Sequence, residues 1–354
     1  MAKRLFELPE TKGTFQVQGI VNGVEKEKFY AVSKTSTNKD FRRVNFGCEY
    51  DSKKSIYLDL NGMPQSDVYF SKRTQEGKTE TKKVPWANRH TFNESGFRMI
   101  GVNLGIVKIT DENGKVVNDK KTMHSFDACD YIRDNLKDDA SVFAKGNIEF
   151  SSYFDRNGNL TRGVKYIPNQ ISLCKDVDFE EYDYIDKKPK HHFTQTIIFN
   201  GIEQEKEDDK ATGRFIVGAY IVTWSDIVST EFIITDGKLA QLFKKNLKPY
   251  HAITVHGCIE VTQQVDTVVE EDGWGESNEM NSNRAPFKIE MVITGATPST
   301  IDRETYTEKN VNEALSAIRN AKQAEQNFSG TANTTDNEEI DWGEDADDEE
   351  VPWD

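Results

Sequence analysis

The sequence has little of what would mark an exported, disulfide-bonded or catalytic protein. Its four cysteines, Cys48, Cys129, Cys174 and Cys258, stand far apart, with no CxxC pair and no histidine at zinc-finger spacing. They read as free thiols in a reducing compartment. The opening segment MAKRLFELPE is too polar for a signal-peptide core, and no apolar run approaches the length of a membrane span. Enzyme signatures are missing too. Gly77–Thr79 (GKT) has the end of a phosphate-binding loop, but Lys72 stands where the first glycine belongs. Neither GxSxG nor HExxH occurs. The pair His191-His192 has no carboxylate at ligand spacing and reads as a surface linker. No metal, cofactor or catalytic constellation is expected.

What is present is charge, unevenly placed. The formal net charge is −15, and eleven carboxylates with no Lys or Arg lie between Asp336 and Asp354, so residues 1–335 carry only −4. The acidic pI therefore says little about what the body of the chain binds.

The chain also repeats itself. FQVQGIVNGVEKEK from Phe15 matches FTQTIIFNGIEQEK from Phe193 at an offset of 178. DNLKDDASVFAKGNIEF matches KNLKPYHAITVHGCIEV at an offset of 111, aligning Gly146 with Gly257. The change of offset means that the first copy holds about 67 extra residues between the two landmarks. Each copy reads as three strands, an amphipathic helix and two strands. The helices are marked by Phe126, Cys129, Ile132 and Leu136, and by Leu239, Leu242, Phe243 and Leu247 with Asp236 as N-cap. DRNGN at 155–159 signals a hairpin between the last two strands of the first copy.

That order is the order of an OB-fold, a five-stranded Greek-key barrel that binds oligonucleotides along its second and third strands and in its loops. The expected architecture is mainly β. One OB-fold spans 1–178 with a β-rich insertion at about 61–122, and a second spans 190–300. A helix at 309–328 carries Val311, Leu315 and Ile318 on one stripe, and a disordered acidic tail covers 329–354. Within the insertion, SKRTQEGKTETKKVPWANRH reads as a basic loop and the segment turning at Asn113-Gly114 as paired strands.

Candidate binding residues follow from strand alternation. Val44, Phe46 and Cys48 point to the core, so Arg43 points outward beside Arg42; Ile56, Leu58 and Leu60 point inward, so Tyr57 points outward. Lys53 and Lys54 occupy the intervening turn. The fourth and fifth strands and their loop add Tyr153, Phe154, Arg156, Arg162, Lys165 and Tyr166, and the insertion adds Lys72, Arg73, Lys82, Lys83, Trp86 and Arg89. Cations for phosphates and rings for bases are what single-strand binding requires. The matching loop of the second copy is acidic around Trp274, so that barrel is expected mainly to support the first or to meet a protein, with Lys238, Lys244 and Lys245 as a minor contact.

RRVNFGCEYDSKKSIYLDLNG, VFAKGNIEFSSYFDRNGNLTRGVKYIPNQISL, the basic KTETKKVPWANR and the ending DADDEEVPWD together resemble bacteriophage single-stranded DNA-binding proteins with two OB-folds. The resemblance implies a non-enzymatic protein that coats single-stranded DNA without sequence preference during phage replication and recombination. It implies a location in the cytoplasm of an infected bacterium and a monomeric or dimeric state. It also implies that the acidic tail competes with DNA and recruits replication or recombination proteins through Trp342, Val351, Pro352 and Trp353. A tryptophan beside a proline is a stiff apolar anchor, and flanking acids steer it toward basic pockets. The alternatives are an OB-fold docking module of a replisome without DNA affinity, a Mg²⁺-dependent nuclease and an RNA-binding protein.

Overall fold

The computed structural model describes residues 4–35, 37–154, 160–179, 190–207, 209–263 and 287–329. The period-two hydrophobicity of β1 (Gly13–Asn22) buries Phe15, Val17 and Val21 on one side. A short strand, β2 (Tyr30–Lys34), leads to β3 (Asp40–Asp51) and β4 (Lys54–Gly62), which bury Val44, Phe46 and Cys48, and Ile56, Leu58 and Leu60, as the alternation requires. The insertion follows as β5 (Asp67–Arg73), β6 (Thr79–Pro85), β7 (Arg98–Met99), β8 (Val102–Gly105), β9 (Lys108–Thr110), β10 (Val116–Asn118) and β11 (Lys121–Met123). Helix α1 (Ser125–Asn135) then buries Phe126, Cys129 and Ile132 before β12 (Ser141–Phe154) and β13 (Leu160–Leu173).

Pairing closes the first unit. β1 pairs with β3, β3 with β4, β4 with β13, β13 with β12, and β12 with β1. Only the β4–β13 contact in this circuit is parallel, at Leu58 and Tyr166. This is the OB circuit.

The second unit repeats it with β14 (His191–Glu207), β15 (Lys210–Val222), β16 (Ile227–Ile234), α2 (Gly237–Asn246), β17 (Ala252–Gln263) and β18 (Phe287–Asp302). Its parallel contact joins Ile233 to Val292. Asp236 caps α2 by accepting from the Lys238 N–H, while Leu242, expected in the core, is exposed.

The aligned glycines have a common physical origin. At Gly146 the β12–β13 register shifts, and a Cβ there would lie 1.9 Å from the Ile167 carbonyl oxygen. At Gly257 the β17–β18 register shifts, and a Cβ would lie 1.9 Å from the Val292 oxygen. Both barrels bend at this bulge, and backbone approaches backbone too closely for any side chain.

The barrels share one sheet because β1 pairs with β14. His191 and His192, read from sequence as a surface linker, begin that strand. The His191 ring stacks on Tyr50 with centroids 4.5 Å apart, and the Tyr50 oxygen accepts from the Val261 N–H at 2.9 Å. Helix α3 (Glu308–Ser329) buries Val311 and Ile318 with Phe6, Leu8 and Ile198, so both ends of the described chain pack on the second barrel.

The basic stretch in the insertion is not a loop. Ser71–Pro85 lies mostly in the β5–β6 hairpin, and with β7 it forms a three-stranded sheet over its own small core of Val68, Phe70 and Val84, joined by Phe92, Phe97 and Met99. The hairpin turns at Gly77, whose φ is 80°, and is anchored at its base, where Val68 opposes Val84.

Candidate nucleic-acid interface

The outer face of the first barrel is built by strand register. Tyr57 lies directly opposite Gly47 on β3, where no side chain covers its ring, and it is 52% exposed. Because Leu58 and Tyr166 pair and both point inward, Tyr57 and Lys165 are outward neighbours across β4 and β13. Lys165 in turn opposes Glu149 on β12. Two positions further along β12 lie Ser151 and then Tyr153, on the same outward side and 55% exposed. The β3–β4 turn with exposed Lys53 sits at this same end of the barrel, because β4 and β13 run parallel. Lys53 itself adopts a left-handed φ of 62° in that turn. A ring, a cation and a second ring thus line one face.

Other expected contacts are engaged elsewhere. Tyr166 is core: it is 2% exposed and packs edge-on to Phe15, so it cannot meet a bound strand. Arg43 does lie on the outer face, but its Nε is 3.0 and 3.1 Å from the oxygens of Asp59, which is 4% exposed. Arg42 is 2.6 Å from Asp130, and its guanidinium stacks 3.7 Å over the Phe126 ring. Both arginines hold carboxylates of the fold. Lys54 is 3.2 Å from Asp51. Arg162 is exposed but opposes Ser152, on the side of the hairpin away from Tyr153. That side meets the second barrel and α3, where Lys322 is 2.9 Å from Asp226, which also accepts from the Ser152 hydroxyl.

The insertion's cations divide by strand face. Lys72 and Lys82 flank the Phe97 ring, and Lys82 pairs with Glu94. Arg89 stacks on Trp86 at 4.0 Å and binds Asp127 through two nitrogens at 2.8 and 3.0 Å, which docks the insertion on α1. Burial pushes the Asp127 carboxyl up, but Arg89 more than offsets this and holds it below its ordinary value. Trp86 also meets His124 and Phe126 edge-on. Lys83, 3.0 Å from Asp67, and exposed Arg73 lie on the opposite face. That face also carries Tyr69, 47% exposed and directly opposite Lys83, a ring that the loop reading missed.

Arg156, the Phe154 side chain, the 155–159 turn, the Trp274 loop and the tail residues Trp342, Val351, Pro352 and Trp353 lie outside the described residues. Among the described residues no His, Cys, Asp or Glu cluster is arranged to hold a metal, and no helix is long and apolar enough to cross a membrane.

The second barrel provides an internal comparison. By register, the place of Tyr57 opposite Gly47 is taken by Glu231 opposite Gly218. The place of Lys165 opposite Glu149 is taken by Glu290 opposite Glu260. Burial pushes the Glu290 carboxyl up, but Lys288 and Arg214 outweigh it and keep the group low and ionised. One face has a ring and a cation where the other has two carboxylates. On α2, Lys238, Lys244 and Lys245 are exposed, with Lys244 5.3 Å from the Phe215 ring.

Among families of known proteins, the YorF family model matches residues 72–330. The chain belongs to the YorF family. The YorF match begins in β5 and runs through α3, so β1–β4 with Tyr57 precede it. No curated protein matches the sequence. Among solved structures, a deletion variant of the single-stranded DNA-binding protein from Thermus aquaticus is similar at a TM-score of 0.39 and 8% identity, covering 85% of this chain and 98% of that one. The wild-type form of the same protein gives 0.37 and 9%, covering 82% and 93%. The barrel assignment rests on the pairing circuit itself.

Proposed function

We propose that this chain is a non-enzymatic protein that binds single-stranded DNA without sequence preference through the outer face of its first barrel. The observation that carries the reading is the adjacency of exposed Tyr57 and Lys165, set against Glu231 and Glu290 at the same places in the second barrel. A base stacks on an exposed ring whatever its identity, and the neighbouring ammonium meets a phosphate. On the sequence resemblance, the proposed setting for this activity is phage replication and recombination, in the cytoplasm of an infected bacterium, with the chain a monomer or dimer. Residues 336–354 would compete with DNA and recruit replication or recombination proteins. Glu231 and Glu290, standing where the first barrel has Tyr57 and Lys165, favour a second reading, in which the barrels dock replisome proteins and have no DNA affinity.

Fluorescence titration with single-stranded and duplex DNA across a salt series separates the two. The proposal expects tighter binding of the single strand, with log affinity falling about 0.7 per phosphate contact for each tenfold rise in salt. It also expects tighter low-salt binding once residues 336–354 are deleted. No single-strand binding at low salt by either form would leave the docking reading in its place.

A further inference from the structure

Between the insertion and the first barrel lies a cleft of about 790 Å³, with Arg98, Lys120 and His90 among its lining residues. Its floor includes Gln170 on β13, Asn103 on β8 and Thr122 on β11, which neighbour one another across the three strands. The bulge at Gly146 decides which way that floor faces. Tyr166 and Ile171 are five residues apart, an odd number, yet both are buried, so the register shift between them restores the inward direction. Gln170 and Ser172 therefore point outward, on the same face as Lys165. The cleft continues the Tyr57–Lys165 face along β13, about 16 Å further on at the usual rise per residue.

Its charge is available. Arg89 is held by Asp127 and Lys121 by Asp119, but Arg98 and Lys120 are exposed and have no ion pair among the described residues. Phe70 and Leu104 are buried beneath, while Met99 and Met123 share the lining with the amides, hydroxyls and cations, and its carboxylate, Asp127, is held by Arg89. Arg98 and Lys120 beside the amides of Asn103 and Gln170 and the hydroxyls of Thr122 and Ser172 suit a sugar-phosphate backbone.

We infer that this cleft holds the phosphates of a single strand leaving the Tyr57 platform, with Arg98 and Lys120 as its phosphate contacts. The inference rests on the reading of the first barrel as the interface, and extends it to a site assembled by the insertion. The test is the double variant Arg98→Ala/Lys120→Ala, titrated with oligothymidylates spanning the roughly 4–16 nucleotides that single OB-folds occupy. Loss of two single-strand phosphate contacts lowers the salt slope by about 1.4, which at 0.1 M salt is about 25-fold in affinity. This loss should appear for the long oligonucleotides and vanish for the shortest, with an unchanged melting temperature because both side chains are exposed. An unchanged slope and affinity at every length, with Tyr57→Ala still weakening binding, would overturn the cleft and leave the platform. Unchanged binding by both the cleft variant and Tyr57→Ala would overturn both. An equal loss at all lengths would show that these cations act on the whole complex by long-range attraction, and would also overturn the cleft.

Discussion

Replacing Tyr57 by alanine will weaken oligothymidylate binding by about 5- to 150-fold, the loss of roughly 1–3 kcal/mol of base stacking. The melting temperature should not move, because the ring stands on the barrel's outer surface opposite a glycine and contributes nothing to the core. Tyr57→Phe keeps the π-face and should retain most of the affinity, whereas Tyr57→Glu, which copies the second barrel's Glu231, should be the weakest binder of the three. Wild-type affinity in all three variants in a fluorescence or gel-shift titration would remove this face from the site. A hydrogen-bonding role for the hydroxyl would instead make the phenylalanine variant as weak as alanine.

The largest stability effects are expected at the paired glycines. Gly146→Ala and Gly257→Ala each force a methyl group to within 1.9 Å of a backbone carbonyl oxygen in the neighbouring strand. Backbone cannot step aside as a side-chain end does, so each change should cost about 3 kcal/mol, the upper end of ordinary overpacking. Gly201→Ala is the control, since a Cβ there meets nothing within 4 Å. Chemical denaturation should show a lowered midpoint for the first two variants and a small change for the third. If Gly146→Ala melts like the control, the bulge does not fix the β12–β13 register, and the outward placing of Gln170 fails with it. Because the two glycines bend different barrels, the two losses should add in the double variant.

Much of this architecture was legible in the sequence, for physical reasons that can be named. Period-two alternation in β3 and β4 gave the inward set and, by complement, the exposed ring of Tyr57. The aligned glycines were visible as a repeat because the collision that selects glycine is the same in both barrels. What stayed hidden was pairing over distance. Arg43 meets Asp59, Arg89 meets Asp127 and Arg42 meets Asp130, partners 16, 38 and 88 residues away that only the closed barrel brings together. A cation in sequence is a charge, and in the fold it is often half of a pair. Tyr166 failed because it lies on a strand whose neighbours are charged, and its direction is set by pairing with Leu58. Arg98 and Lys120 carried no sequence signal, since nothing local marks a wall built from two separate sheets. The exchange of Tyr57 and Lys165 for Glu231 and Glu290 likewise appears only once the registers are compared.

The most direct measurement is photo-crosslinking of an oligonucleotide carrying 5-iodouracil, followed by mapping of the attached peptides. A strand lying on the first barrel should label Tyr57 and Tyr153, with lower yield at Tyr69 and none at the buried Tyr166. Attachment confined to the second barrel or to α3 would contradict the account at its root.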